Sequence, residues 1–162
     1  MNNIIILTGE IQTGKTTFLQ QFCEQRNDVA GILTPIVNSK RLFYNIADKL
    51  FFELEAVVGE ETLTIGKYVF STAAFAKANN ILYSESKRND INYFIIDEIG
   101  PLETRIQQGL YQSLKEIMAT TFNYTLIIIV RQSIVDEAIT TFNLTSPLVL
   151  SLEEMKKHVV NK

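Results

Sequence analysis

Three short runs of this chain are apolar at every position: Ile4-Ile5-Ile6-Leu7, Tyr93-Phe94-Ile95-Ile96 and Leu126-Ile127-Ile128-Ile129-Val130. A strand with one face in water alternates apolar and polar side chains, so uninterrupted runs require cover on both faces, as in a parallel sheet between layers of helix. Val29 to Thr34 and Leu148 to Leu150 read as two further strands. Between them apolar residues fall at helical spacing: Phe18, Leu19 and Phe22; Phe75, Ala78 and Leu82; Leu110, Leu114, Ile117 and Met118; Val135, Ala138, Ile139 and Phe142. A last short helix is expected from Leu152 to His158. The alternation predicts a three-layer α/β fold with a predominantly parallel sheet. With 162 residues, 46% of them apolar, the chain is expected to form one domain over 1–162.

The first apolar run leads into Gly9-Glu10-Ile11-Gln12-Thr13-Gly14-Lys15-Thr16, which fits the phosphate-loop pattern Gly-x-x-x-x-Gly-Lys-Ser/Thr. A strand from Asn3 to Thr8 and a helix from Gly14 to about Arg26 flank it in the order the motif demands. Gly9 and Gly14 allow backbone angles that let N–H groups around Gln12 to Thr17 converge on phosphate oxygens, at the positive end of the helix. Lys15 is a long cation suited to the β and γ phosphates, and the Thr16 hydroxyl is placed to ligate Mg²⁺. Thr17 is suited to the α phosphate. Glu10 and Gln12 are unusual here, since an acidic side chain beside phosphates is unfavourable unless it points to water. The reading is a nucleoside-triphosphate site.

After the strand Tyr93 to Ile96 come Asp97 and Glu98, a Walker B arrangement. The residue pattern puts this strand beside the loop strand, with Asp97 holding Mg²⁺ and Glu98 polarising a water for in-line attack on the γ phosphorus. Arg131 ends the strand Leu126 to Val130 and shares that ligand-binding edge. It serves either to stabilise charge on the γ phosphate or to pair with Asp136 or Glu137. Glu103 and Arg105 lie close to the acidic pair in sequence, but spacing does not fix their direction.

One stretch breaks the strand–helix rhythm. From Arg41 to Val58, Leu50, Phe52 and Leu54 alternate with Phe51, Glu53 and Glu55, and Ala47-Asp48-Lys49 offers a turn. An antiparallel hairpin is expected here, inserted before a helix beginning near Ser71 and extending the sheet edge. Its aromatic residues form either a satellite hydrophobic cluster or a platform for a base.

Taken together, the loop ending Gly14-Lys15-Thr16-Thr17, then Ala30-Gly31-Ile32-Leu33-Thr34-Pro35, Ile65-Gly66-Lys67-Tyr68 and Ile96-Asp97-Glu98-Ile99-Gly100-Pro101-Leu102-Glu103, resemble the thermostable nucleoside-triphosphatase family from about residue 3 to 142. The resemblance implies a RecA-like P-loop NTPase fold with an additional strand between the loop strand and the Walker B strand. It also implies slow Mg²⁺-dependent hydrolysis of ATP, GTP and other nucleoside triphosphates with weak base preference. On that match Gly9, Gly14, Lys15, Thr16 and Thr17 form the phosphate loop, with Asp97 and Glu98 the metal and water residues. Family loops usually hold Pro or Gly where this chain has Ile11 and Gln12.

Composition narrows the partners. A net charge of -3 speaks against a protein that grips nucleic acid through its overall field. The longest apolar run is far too short to span a bilayer, so a cytoplasmic location is expected, and the single Cys23 reads as a small buried hydrophobe on the first helix. No Asn/Thr-Lys-x-Asp guanine-reading motif occurs. A small-molecule or nucleotide kinase, with a hydroxyl replacing water, is an alternative that the five scattered arginines weaken. A nucleotide-gated binding module with little turnover is another.

Overall fold

The computed structural model describes residues 1–55, 59, 61–65 and 68–160. Among the described residues ten strands and six α-helices follow one another: β1 (Asn3–Gly9), α1 (Lys15–Glu24), β2 (Val29–Leu33), β3 (Ile36–Val37), β4 (Lys40–Asn45), β5 (Leu50–Glu53), β6 (Thr62–Ile65), β7 (Tyr68–Ser71), α2 (Thr72–Glu85), β8 (Tyr93–Ile99), α3 (Pro101–Thr104), α4 (Tyr111–Met118), β9 (Thr125–Arg131), α5 (Val135–Thr141), β10 (Leu148–Leu150) and α6 (Leu152–Val160). The main sheet runs β10-β1-β9-β8-β2-β4-β3, with β5 paired to β4. Its five strands β10, β1, β9, β8 and β2 are parallel, and β3, β4 and β5 add an antiparallel edge.

The uninterrupted apolar runs are explained by two cores, one on each face. Ile4, Ile6, Phe94, Ile96, Leu126 and Ile128 face the side where Ala78 and Leu82 of α2, Leu114 of α4 and Ala138 of α5 pack. Ile5, Leu7, Ile95, Ile127 and Ile129 face the other side, against Leu19 and Cys23 of α1 and Met155 of α6. Each fully buried Leu or Ile contributes about 1.5–3 kcal/mol relative to exposure. Cys23 is buried, and burial pushes its thiol up to about 12, so it packs as a hydrophobe.

Two features differ from the residue reading. The loop strand β1 does not touch the Walker B strand: β9 lies between them, paired with both, as the resemblance implies. The inserted region is also larger than one hairpin. Its turn at 46–49 joins β4 to β5 as expected, but β4 pairs first with β3 across Asn38 and Ser39, both left-handed at φ 50° and 65°. Two central residues with positive φ are the signature of a type I′ turn, whose twist suits paired strands. Strands β6 and β7 form a second, separate antiparallel pair. The end of the expected hairpin at 56–58, and Gly66 and Lys67 of the family-like motif, lie outside the described residues. Phe43 and Leu54 belong to the core itself, with Phe52 and Phe75 in ring contact with Phe43, so the insertion is anchored rather than a satellite cluster.

Close approach of β2 and β8 depends on Gly31. It sits at φ 113°, and a Cβ there would lie 2.0 Å from the Ile95 carbonyl oxygen. The strand bearing Asp97 is thus seated against β2 at a distance only glycine permits.

Candidate functional site

The phosphate loop is shaped by backbone angles that β-carbons disfavour. Gly9 has φ 151°, Gly14 has φ 89° and caps α1, and between them Gln12 adopts φ 59°. The left-handed angle at Gln12 costs about 1–2 kcal/mol for a residue with a β-carbon. The loop therefore keeps a glycine-like turn without the glycine. Glu10, Ile11, Gln12, Thr13, Gly14 and Thr17 are exposed, and the Glu10 side chain stands in water.

Lys15 is folded back over the loop. Its Nζ donates to the Glu10 carbonyl and to Thr13 Oγ1, which itself donates to the Glu10 carbonyl at 3.0 Å. A loop carbonyl and a hydroxyl thus hold the cation against the cradle rather than leaving it extended in solvent.

Thr16 and Asp97 are 81 residues apart in sequence, and the fold joins them: Thr16 Oγ1 donates to Asp97 Oδ2 at 2.8 Å. The backbone N–H of Thr34, at the end of β2, donates to the same oxygen at 3.0 Å. Asp97 is buried, and among the described residues it has no ion-pair partner. Burial pushes its carboxyl up to about 6; the Thr34 N–H opposes that shift, and the neighbouring Glu98 charge adds to it. A buried carboxylate facing a hydroxyl, with two hard oxygen atoms and no counter-ion, fits Mg²⁺.

Glu98 lies in a different setting. The β8–β9 register shifts between Ile96 and Ile99, so β8 carries one residue more than β9 across this segment. Such a bulge re-aims side chains at a strand end. Glu98 faces the open edge with both carboxylate oxygens engaged: Arg41 donates from Nη1 to Oε2 at 2.9 Å, and Arg131 donates from Nε to Oε1 at 3.3 Å. Arg131 is in register with Gly9, level with the first residue of the phosphate loop. Its partner is therefore Glu98, and neither Asp136 nor Glu137. Glu137 instead accepts from Arg105 and Thr104, directing Arg105 away from the acidic pair.

Neither Arg41 nor Thr34 was given a role in the site from sequence, although Thr34 lies in the Ala30–Pro35 motif. Arg41 stands on β4, 57 residues from Glu98, and no local spacing links them. Glu103 is buried; it accepts from the N–H of Gly100 at 2.9 Å and of Leu110 at 3.1 Å, and burial pushes it up to about 7. It braces the turn from β8 toward α4 and does not face the loop. Among the described residues no helix is long and apolar enough to cross a membrane.

Similarity to known proteins agrees with this architecture. The crystal structure of THEP1 from the hyperthermophile Aquifex aeolicus matches with a TM-score of 0.73 at 22% identity, covering 97% of this chain and 94% of that one. The solution structure of a human cancer-related nucleoside triphosphatase matches with a TM-score of 0.67 at 18% identity, covering 98% and 94%. No curated protein sequence matches significantly. At these identities the two structures establish the fold, an α/β P-loop NTPase fold. A family model described as NTPase matches residues 4–160, nearly the full length. With the phosphate loop, the intervening β9 and the Asp97-Glu98 strand end in place, the chain belongs to that NTPase family.

Proposed function

We propose that this protein is a Mg²⁺-dependent phosphohydrolase that converts nucleoside triphosphates to diphosphates and phosphate, with weak selectivity for the base. The observation that carries the reading is the 2.8 Å contact between Thr16 and Asp97, which sets a hydroxyl and a buried carboxylate together at the foot of a phosphate loop. Backbone N–H groups of Gly9 to Thr17 bind the polyphosphate, and Lys15 leaves its contacts with Glu10 and Thr13 to reach the β and γ phosphates. Thr16 and Asp97 would hold the Mg²⁺. Bound there, the ion neutralises phosphate charge. Among the described residues no group of three or more His, Cys, Asp or Glu forms a metal cage.

Hydrolysis then needs a base and charge stabilisation at the γ phosphate. Glu98 accepts a proton from water as the water oxygen bonds to the γ phosphorus, while the bond from that phosphorus to the β–γ bridging oxygen breaks and its electron pair leaves with the diphosphate. Arg131, level with Gly9, offsets charge on the transferring group. Weak base selectivity follows from recognition concentrated on phosphates and from the lack of a guanine-reading motif in the sequence.

The test is phosphate release from ATP, GTP, CTP and UTP with and without Mg²⁺, repeated with candidate hydroxyl acceptors. All four should be hydrolysed at rates within about tenfold, a difference of about 1.4 kcal/mol between bases, and only with Mg²⁺. Formation of diphosphate and phosphorylated acceptor without free phosphate identifies a kinase. Tight binding with no release under any condition identifies a nucleotide-gated binding module.

A further inference from the structure

We infer that Arg41, carried by the β3–β4 ribbon, senses the γ phosphate: it holds Glu98 when no triphosphate is bound and transfers to the γ phosphate when one arrives, freeing Glu98 to act as the base. The inference rests on the hydrolase reading above and adds a residue and a control step to it.

The ribbon's geometry puts Arg41 within reach of the site. Strand β4 runs antiparallel to β2, with Tyr44 opposite Leu33 and Leu42 bonded through its N–H to the Pro35 carbonyl. Residues of β4 before Tyr44 therefore extend past the carboxyl end of β2, on the edge that carries the phosphate loop. Arg41 pairs with Ile36 of β3 at the base of the Asn38-Ser39 turn, and its side chain crosses β2 to meet Glu98 at the end of β8. A surface ion pair needs no such reach; Arg41 bridges the insertion and the Walker B strand.

Charge and occupancy give the contact its direction. Glu98 brings one negative charge, and Arg41 and Arg131 bring two positive ones. Asp97 adds a second carboxylate beside Glu98 and Lys15 a third cation at the loop, so the cluster stays short of one anion. A terminal phosphate carries more negative charge than one carboxylate and offers three oxygens, so it competes for a guanidinium. Each Glu98 oxygen accepts from one guanidinium N–H, so Arg41 and Arg131 compete with water for its lone pairs. Departure of Arg41 clears Oε2, whose 2.9 Å contact is the shorter of the two. A diphosphate ends one phosphate short and leaves the pair intact.

The experiment measures affinities of the full chain for β,γ-imido-ATP and for ADP by titration calorimetry in Mg²⁺ buffer, in the wild type, Arg41→Gln, Arg41→Lys, Glu98→Gln and the Arg41→Gln/Glu98→Gln double variant. Arg41→Gln should weaken the triphosphate analogue by at least about tenfold, the scale of a lost charge-assisted contact, while ADP affinity is unchanged. Arg41→Lys should lie between. Glu98→Gln should tighten the analogue, and the double variant should lose that gain. Equal shifts for both nucleotides, or none, make the ion pair a structural strut and overturn the inference. Should Arg41→Gln fail to fold, an unchanged analogue affinity in Glu98→Gln overturns it equally. A wild type that binds the analogue but hydrolyses no triphosphate defeats the hydrolase reading instead, and leaves the affinity pattern to decide the role of Arg41.

Discussion

Asp97 and Glu98 are neighbours in sequence, yet they belong to two different regions. Asp97 lies in the interior, 1% exposed, held by one hydroxyl and one backbone N–H. Glu98 lies at the mouth between two guanidiniums whose side chains are 33% and 44% exposed. The interior opposes charge and is fixed by packing, whereas the mouth gathers charge and is held by contacts that water screens. Stability and chemistry should therefore separate: substitutions in the interior change folding, and substitutions at the mouth change turnover with the fold intact.

The strongest way to break this comparison is Gly31→Ala. Its new Cβ would meet the Ile95 carbonyl at 2.0 Å in a left-handed conformation, and backbone cannot move aside as a flexible side chain can. The loss expected in urea denaturation is at least about 4 kcal/mol, or failure to fold, at the upper end of single-residue effects. A midpoint like the wild type's would show that the interior is not a rigid frame.

A pH titration of stability sharpens the same contrast. Burial raises the Glu103 carboxyl from 4.5 to about 7, so the folded chain binds this proton more tightly than the unfolded chain. Its contribution is full below about pH 4.5 and is lost as the pH rises through about 7, an amount near 3 kcal/mol at 1.36 kcal/mol per pH unit. Asp97 has the same sign over a lower window. Glu103→Gln should flatten the fall in unfolding free energy between pH 5 and pH 8. It should also lower stability overall, because the two N–H groups use different carboxylate oxygens and the amide nitrogen that replaces one of them cannot accept. An unflattened profile would remove Glu103 from the pH dependence.

The smallest effect on stability belongs to the mouth. Arg131→Ala removes a 3.3 Å contact at a half-exposed site, so it should cost under about 1 kcal/mol. Turnover should fall by at least about tenfold, since charge at the γ phosphate loses a stabilising partner. A large loss of stability with unchanged turnover would reverse the assignment of the two regions.

Legibility in the sequence followed the same division. Continuous apolar runs and a contiguous loop motif are local signals, so the five parallel strands, the phosphate loop and the Walker B pair could all be read. What was missed depends on contacts between distant residues or on very short elements. Arg41 reaches Glu98 only because β4 folds back beside β2, and β3 is two residues long behind an Asn38-Ser39 turn that lacks the usual glycine. The four-residue α3 had a readable start in Gly100-Pro101-Leu102-Glu103, with Pro at the first helical position and Glu103 bonding back to the Gly100 N–H. The separation of β1 from the Walker B strand by β9 could not come from strand patterns, which carry no order, and came only from the resemblance.

The central claim is that Glu98 serves the chemistry of a site assembled by Thr16, Asp97 and the loop. Single-turnover cleavage and equilibrium binding of Mg²⁺-ATP, measured side by side in the wild type and in Glu98→Gln, test it most directly. Binding should be retained, tightened rather than weakened, and cleavage slowed by at least about tenfold, the low end of general-base effects. Cleavage at the wild-type rate by a variant that still binds would contradict it.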